Sequence, residues 1–145
     1  MMNRRSRGRD FKSRDRIVEL NYVIRFRPEY LDRVLSGSKR VTVRLGIVRP
    51  RFGEVLITCG NLVYGVGEIE SFEIYRIDQL PENIVREEGF KSKSELLNAL
   101  RQLYPEIKDT SFVTVIRFKV KKIFKNPKPL NMAVQQFKEG KLSID

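Results

Sequence analysis

Histidine and tryptophan are absent from these 145 residues, and Cys59 is the only cysteine. Without histidine the chain lacks the commonest general base and the commonest transition-metal ligand. With a single thiol it can build neither an intrachain disulfide nor a structural zinc site of Cys/His type. No metal and no cofactor is therefore expected, and any catalysis must come from Lys, Thr, Ser, Tyr or carboxylates. No window holds ~18 consecutive apolar residues, so no membrane partner is expected. The opening "MMNRRSRGRDFKSRDR" has no apolar stretch of the signal-peptide kind, and the lone cysteine suits a reducing interior. Both readings point to a cytoplasmic location.

What is abundant is positive charge, formally +11, and its distribution matters more than its total. Residues 1–16 carry seven basic side chains (Arg4, Arg5, Arg7, Arg9, Lys12, Arg14 and Arg16) against Asp10 and Asp15, a net +5. Residues 121–145 carry six lysines against Glu139 and Asp145, a net +4, and the long middle is almost balanced at +2. Basic ends attract phosphate without sequence preference, which points to nucleic acid as a partner; the plainer alternative is that such ends only promote solubility. The length suits one domain with a real core, flanked by a basic leader over 1–18 and a basic extension over 125–145.

Along the body, "ELNYVIRFRP" (19–28) alternates as a first strand with Tyr22, Ile24 and Phe26 on one face. Pro28 opens a short helix lined by Tyr30, Leu31, Val34 and Leu35, and Gly37 closes it. A strand with Val41, Val43 and Leu45 inward and Arg40, Thr42 and Arg44 on the other face follows. A turn at Phe52–Gly53 leads into a strand through Val55 and Ile57. The β-rich run 62–77 is interrupted by Gly65 and Gly67, which mark a bulge or close backbone approach. Ser92 and Glu95 form a capping-box pattern ahead of Leu96, Leu100 and Leu103, and Pro105 stops that helix. A last strand is expected over 111–124, with Phe112, Ile116, Phe118 and Val120 inward. This order predicts an α+β domain on a small mixed or antiparallel β-barrel with flanking helices.

The stretch "GSKRVTVR" (37–44) resembles the G-x-K-x-x-T-x-R signature of the ASCH domain family, of the archaeal, stand-alone type. Four further segments follow in the family's order: "RFGEVLIT" (51–58), "YGVGEIESFEIY" (64–75), "REEGFKSKSELLNALRQLYP" (86–105) and "FVTVIRFKV" (112–120). The resemblance implies a PUA-like barrel with a cleft that binds RNA or a modified nucleoside. It also implies a possible enzyme, either a ribonuclease or an amidohydrolase acting on N4-acetylcytidine. For the amidohydrolase, Lys39, Thr42 and Glu88 occupy the catalytic positions. For RNA binding, Lys39, Arg40 and Arg44 of the signature and Arg4, Arg5, Arg7 and Arg9 of the leader are the candidates. Arg40 stands where the family commonly has threonine, and the leader points away from a purely small-molecule role.

Read as chemistry alone, Thr42 needs an adjacent base to act as a nucleophile, and Lys39 supplies one if burial or its cationic neighbours lower its pKa. Glu88 can then deliver a proton to a leaving amine. Parity opposes the pairing, because residues 39 and 42 of an unbroken strand face opposite sides. Arg44, about 7 Å from Thr42 on the same face, is the better placed anion ligand. The plainer alternative pairs Arg44 with Glu54 or Glu68. Tyr64, Phe72 and Tyr75 are candidates for base stacking or, more simply, for the core.

Overall fold

The computed structural model describes residues 22–142. The first strand, β1 (Val23–Arg25), is short. Pro28 at the first helical position and Glu29 in the first turn start α1 (Pro28–Leu35), where a missing N–H and a negative charge are both favourable. Gly37 ends the helix at φ 85°, a left-handed conformation open to glycine at little steric cost. The strand β2 (Val41–Leu45) then pairs antiparallel with a long final strand, β5 (Phe112–Pro129). Between them run β3 (Gly53–Cys59), β4 (Leu62–Arg76), a short 3₁₀ turn, α2 (Glu82–Glu87) and α3 (Lys93–Leu103). A closing helix, α4 (Leu130–Lys138), follows β5 directly.

The strands form one mixed sheet in the order β1-β3-β4-β5-β2. Only β1 and β3 run parallel among the paired strands, and the other ladders are antiparallel. The α+β class is as expected, but the sheet is not closed into a barrel. Its edges, β1 and β2, are linked by a side chain instead: Arg44 Nη2 donates to the Arg25 carbonyl at 2.6 Å. The cleft described below opens along this seam.

Apolar side chains gather in three clusters. One joins β2 and β5 to α2 and α3 through Val41, Val43, Ile84, Leu96, Leu100 and Val115. A second joins β1, α1 and the sheet centre through Ile24, Phe26, Val34, Ile57, Ile116 and Phe118. The third packs Ala133 of α4 on Val23, Leu56, Val63 and Phe124. The expected boundary at 124 and 125 thus falls inside β5, and α4 seals the end of the sheet. Phe112 departs from its expected inward position and is exposed at the start of β5. Ser92 caps α3 as anticipated, accepting from the Glu95 N–H at 3.2 Å. The reciprocal bond reaches one residue further back, to the N–H of Lys91.

Candidate functional site

Two helix ends build the floor of the cleft. After α1, the Lys39 N–H donates to the Arg33 carbonyl at 2.9 Å, which folds the chain back before β2 begins. Lys39 therefore stands ahead of the regular strand alternation, and its side chain is only 2 % exposed. The second end is "EGF" at 88–90. Gly89 adopts φ 100°, its N–H bonds the Arg86 carbonyl, and the Phe90 N–H bonds the Val85 carbonyl. This is a Schellman closure with glycine at the left-handed position. It holds Glu88 at the carbonyl end of α2, where a helix dipole disfavours an acid. The dipole therefore does not account for Glu88.

Lys39 accounts for it. Lys39 Nζ lies 2.9 Å from Glu88 Oε2 and donates also to the Val41 carbonyl at 2.8 Å. Glu88 is 11 % exposed and takes a backbone hydrogen bond from Val43. Burial lowers the Lys39 pKa from the usual lysine range, against the pull of Glu88, with Arg33 and Arg44 adding to the lowering. Burial likewise raises the Glu88 carboxyl above the usual carboxylate range, against the attraction of Lys39 and Arg44. Desolvation thus outweighs mutual attraction on both sides of the pair. Two cations approach the Tyr30 ring, with Lys39 Nζ and the Arg33 guanidinium each 5.2 Å from its centroid.

Beside this pair, Arg44 Nη1 donates to Thr42 Oγ1 at 2.5 Å. Arg44 also lies 5.7 Å from the Phe26 ring centroid. The alternative pairing of Arg44 with Glu54 or Glu68 does not occur: those carboxylates meet Lys121 and Lys119. Thr42, on the face opposite Val41 and Val43, is also buried.

Lys39, Thr42, Arg44 and Glu88 all line one cavity of about 460 Å³, a size suited to a small-molecule ligand. Phe26, Tyr30, Phe90, Leu100 and Tyr104 are among the lining residues. Arg25, Arg27, Glu29 and Gln102 stand around it. Four basic and two acidic residues line the space, so it is net cationic.

Arg40 does not join this group. It is exposed and donates to the Gly37 carbonyl at 3.4 Å. Arg4, Arg5, Arg7 and Arg9 lie outside the described residues. Tyr64, Phe72 and Tyr75 are also away from the cavity; Phe72 stacks on Phe52 at 5.6 Å and Tyr75 packs against the first core cluster. Tyr30, Phe90 and Tyr104 were not anticipated as cleft residues. Arg25 and Arg27 were equally overlooked, although they alternate with Ile24 and Phe26 in "IRFR" and so could have been assigned to an exposed face.

Neither a family model nor a curated protein matches the sequence. Solved structures do match. An ASCH protein from Zymomonas mobilis superposes with a TM-score of 0.57 at 18% identity, over 85% of this chain and 81% of that one. The ASCH domain from Lactobacillus crispatus superposes at 0.50 and 23% identity, over 61% and 68%. This chain has the ASCH fold. Protein EF3133 from Enterococcus faecalis, of family DUF984, is also similar, with a TM-score of 0.54 and 17% identity over 66% and 71%. In this chain the "GSKRVTVR" strand, the "EGF" turn and α3 lie around one cleft. Among the described residues no helix is long and apolar enough to cross a membrane.

Proposed function

We propose that this ASCH-fold chain binds RNA, or a modified nucleotide, in the cationic cleft. The observation that carries the proposal is the buried Lys39–Glu88 pair at the floor of a net-positive cavity with aromatic walls. Aromatic side chains line the cavity, and base–aromatic stacking is worth about 1–3 kcal/mol. Glu88 accepts from an exocyclic amine, while Lys39 and Arg44 meet phosphate or the polar edge of the base. Arg40 and the leader arginines Arg4, Arg5, Arg7 and Arg9 hold the backbone outside the cleft, adding affinity that fades with salt. Titration of the full chain with cytidine and uridine nucleotides tests this. Binding should be weakened by Arg44→Gln, and nucleotide affinity unchanged by that substitution contradicts the reading.

A second reading is favoured by the opposed pKa shifts of Lys39 and Glu88, and treats the chain as a hydrolase of N4-acetylcytidine-like nucleosides. In its neutral form Lys39 takes the proton of Thr42 as its Oγ attacks the acyl carbon, and in its protonated form Glu88 gives a proton to the departing amine. Water then releases the acyl group from Thr42. The Arg44 guanidinium, already on Thr42 Oγ1, stabilises the developing alkoxide. Chromatography after incubation with N4-acetylcytidine separates the readings: cytidine and acetate formed by the wild type and not by Thr42→Ala establish hydrolysis. Intact nucleoside leaves binding alone.

A further inference from the structure

The stretch "KVKKIFKNPK" (119–128) holds five lysines and no acidic residue. Strict strand alternation would divide Lys121 and Lys122 between opposite faces. The structure does otherwise. Gly67 pairs with Val120 and Val66 with Lys122, so Lys121 is the extra residue of a β-bulge. Bulges re-aim side chains, and here Lys121 and Lys122 line the same concavity, of about 330 Å³, on the face covered by Phe137 and Leu142. Two glycines of β4 permit this geometry. A Cβ on Gly67 would come 3.1 Å from the Lys119 carbonyl oxygen, and one on Gly65 would overlap the Lys122 carbonyl.

Cations from two other elements converge beside it. Arg51, in the connection before β3, lies 5.9 Å from the Phe137 ring centroid and 5.6 Å from that of Tyr22. Lys138 of α4 lies 4.9 Å from the same Tyr22 ring, and the two rings meet edge to face at 6.5 Å. Charges held on aromatic faces lose less freedom when a ligand arrives. Glu68 and Glu70, which pair with Lys119, do not line the concavity, whereas Glu54, which does, pairs with Lys121; exposed pairs of this kind hold little energy. Lys128 folds back over Phe124 and is not part of the surface. No residue lining this concavity also lines the cleft.

We infer that the β5 bulge and the end of α4 form a second anion surface, with Lys121, Lys122, Lys138 and Arg51 receiving the phosphate backbone of an RNA. The inference rests on the RNA reading and extends it: the cleft takes a nucleotide, and this separate face takes sugar–phosphate without regard to sequence. RNA is preferred to an anionic membrane because Lys121 and Lys122 line a concavity with Glu54 among its lining residues, rather than an apolar insertion face.

Fluorescence anisotropy with a single-stranded RNA of about a dozen nucleotides tests it on the full chain across a range of salt. Lys122→Gln/Lys138→Gln should lower the slope of log K against log salt by about 0.7 for each phosphate that is no longer neutralised, with mononucleotide affinity unchanged. Lys108→Gln, in the connection before β5, should leave the slope as in the wild type. An unchanged slope in the double variant overturns the proposal, as does an equal change in Lys108→Gln or a parallel loss of mononucleotide binding. Loss of binding to phosphatidylserine vesicles with RNA binding intact also overturns it. RNA binding that depends on Lys39 and Glu88 but not on Lys122 and Lys138 removes this inference and leaves the cleft reading standing. Wild-type protein that binds no RNA at low salt removes both.

Discussion

Lys39 and Glu88 carry the account at the residue scale, because their burial costs stability and buys a polarised floor for the cleft. Glu88 titrates above its ordinary value near 4.5, so its contribution to folded stability is complete below that value and is lost as pH rises through the folded-state value. Lys39 titrates below its ordinary 10.5, so its contribution is complete above that value and is lost as pH falls through the folded-state one. Both groups therefore depress stability around neutral pH. Replacing a buried pair by well-packed neutral side chains is commonly neutral or stabilising by roughly 1–4 kcal/mol. Lys39→Met/Glu88→Gln should accordingly unfold at no lower denaturant concentration than the wild type at neutral pH. Its advantage should shrink towards both acid and alkali. Equilibrium unfolding in the three pH regimes checks this, and a clear loss of stability at neutral pH contradicts it. The residue identities were legible in the sequence; their partners were only partly so. Parity argued against Lys39 and Thr42 sharing a space, and the bond from the Lys39 N–H to Arg33 that resolves the objection depends on how α1 ends in three dimensions.

Element by element, the sequence was most readable where local chemistry decides. Pro28, Gly37 and Ser92 announce helix ends, and the capping interaction at Ser92 is present. Ser92→Ala should cost about 1 kcal/mol in the free energy of unfolding, with little effect on nucleotide affinity. Gly65 and Gly67 announced a bulge or close approach, and β4 has register shifts at these positions. What could not be read was which partner strand would bulge, because that depends on a non-local ladder. Gly65→Ala places a methyl group into the Lys122 carbonyl and should destabilise by about 1–3 kcal/mol or more. A nuclear magnetic resonance comparison should locate its amide shift changes at 119–125. A change confined to β3 would mean that the β5 bulge is not set by this glycine. The end of β5 was also hidden: the strand was expected to stop at 124, yet the ladder reaches Pro129 opposite Leu62, and α4 buries Ala133 behind it.

For the whole molecule, the excess charge is divided among ends, cleft and bulge rather than spread evenly. Shape and charge separate accordingly. On the proposed RNA reading, the cleft supplies short-range contacts to a buried pair and the leader supplies salt-sensitive attraction. Removal of residues 1–16 should therefore reduce the salt dependence of RNA binding while nucleotide binding in the cleft persists. Complete loss of nucleotide binding on that removal would mean that the leader, and not the cleft, holds the ligand. The ASCH fold was legible from five segments in order; the open seam bridged by Arg44 was not, since sheet closure depends on strand curvature.

The most direct test of the cleft is RNA binding by Lys39→Met/Glu88→Gln at physiological salt, measured by fluorescence anisotropy beside the wild type. Charge-assisted hydrogen bonds of this kind are worth about 1.5–3 kcal/mol, so affinity should fall by roughly 10- to 100-fold in a protein that remains folded. Wild-type affinity in the folded double variant would contradict the assignment of the cleft.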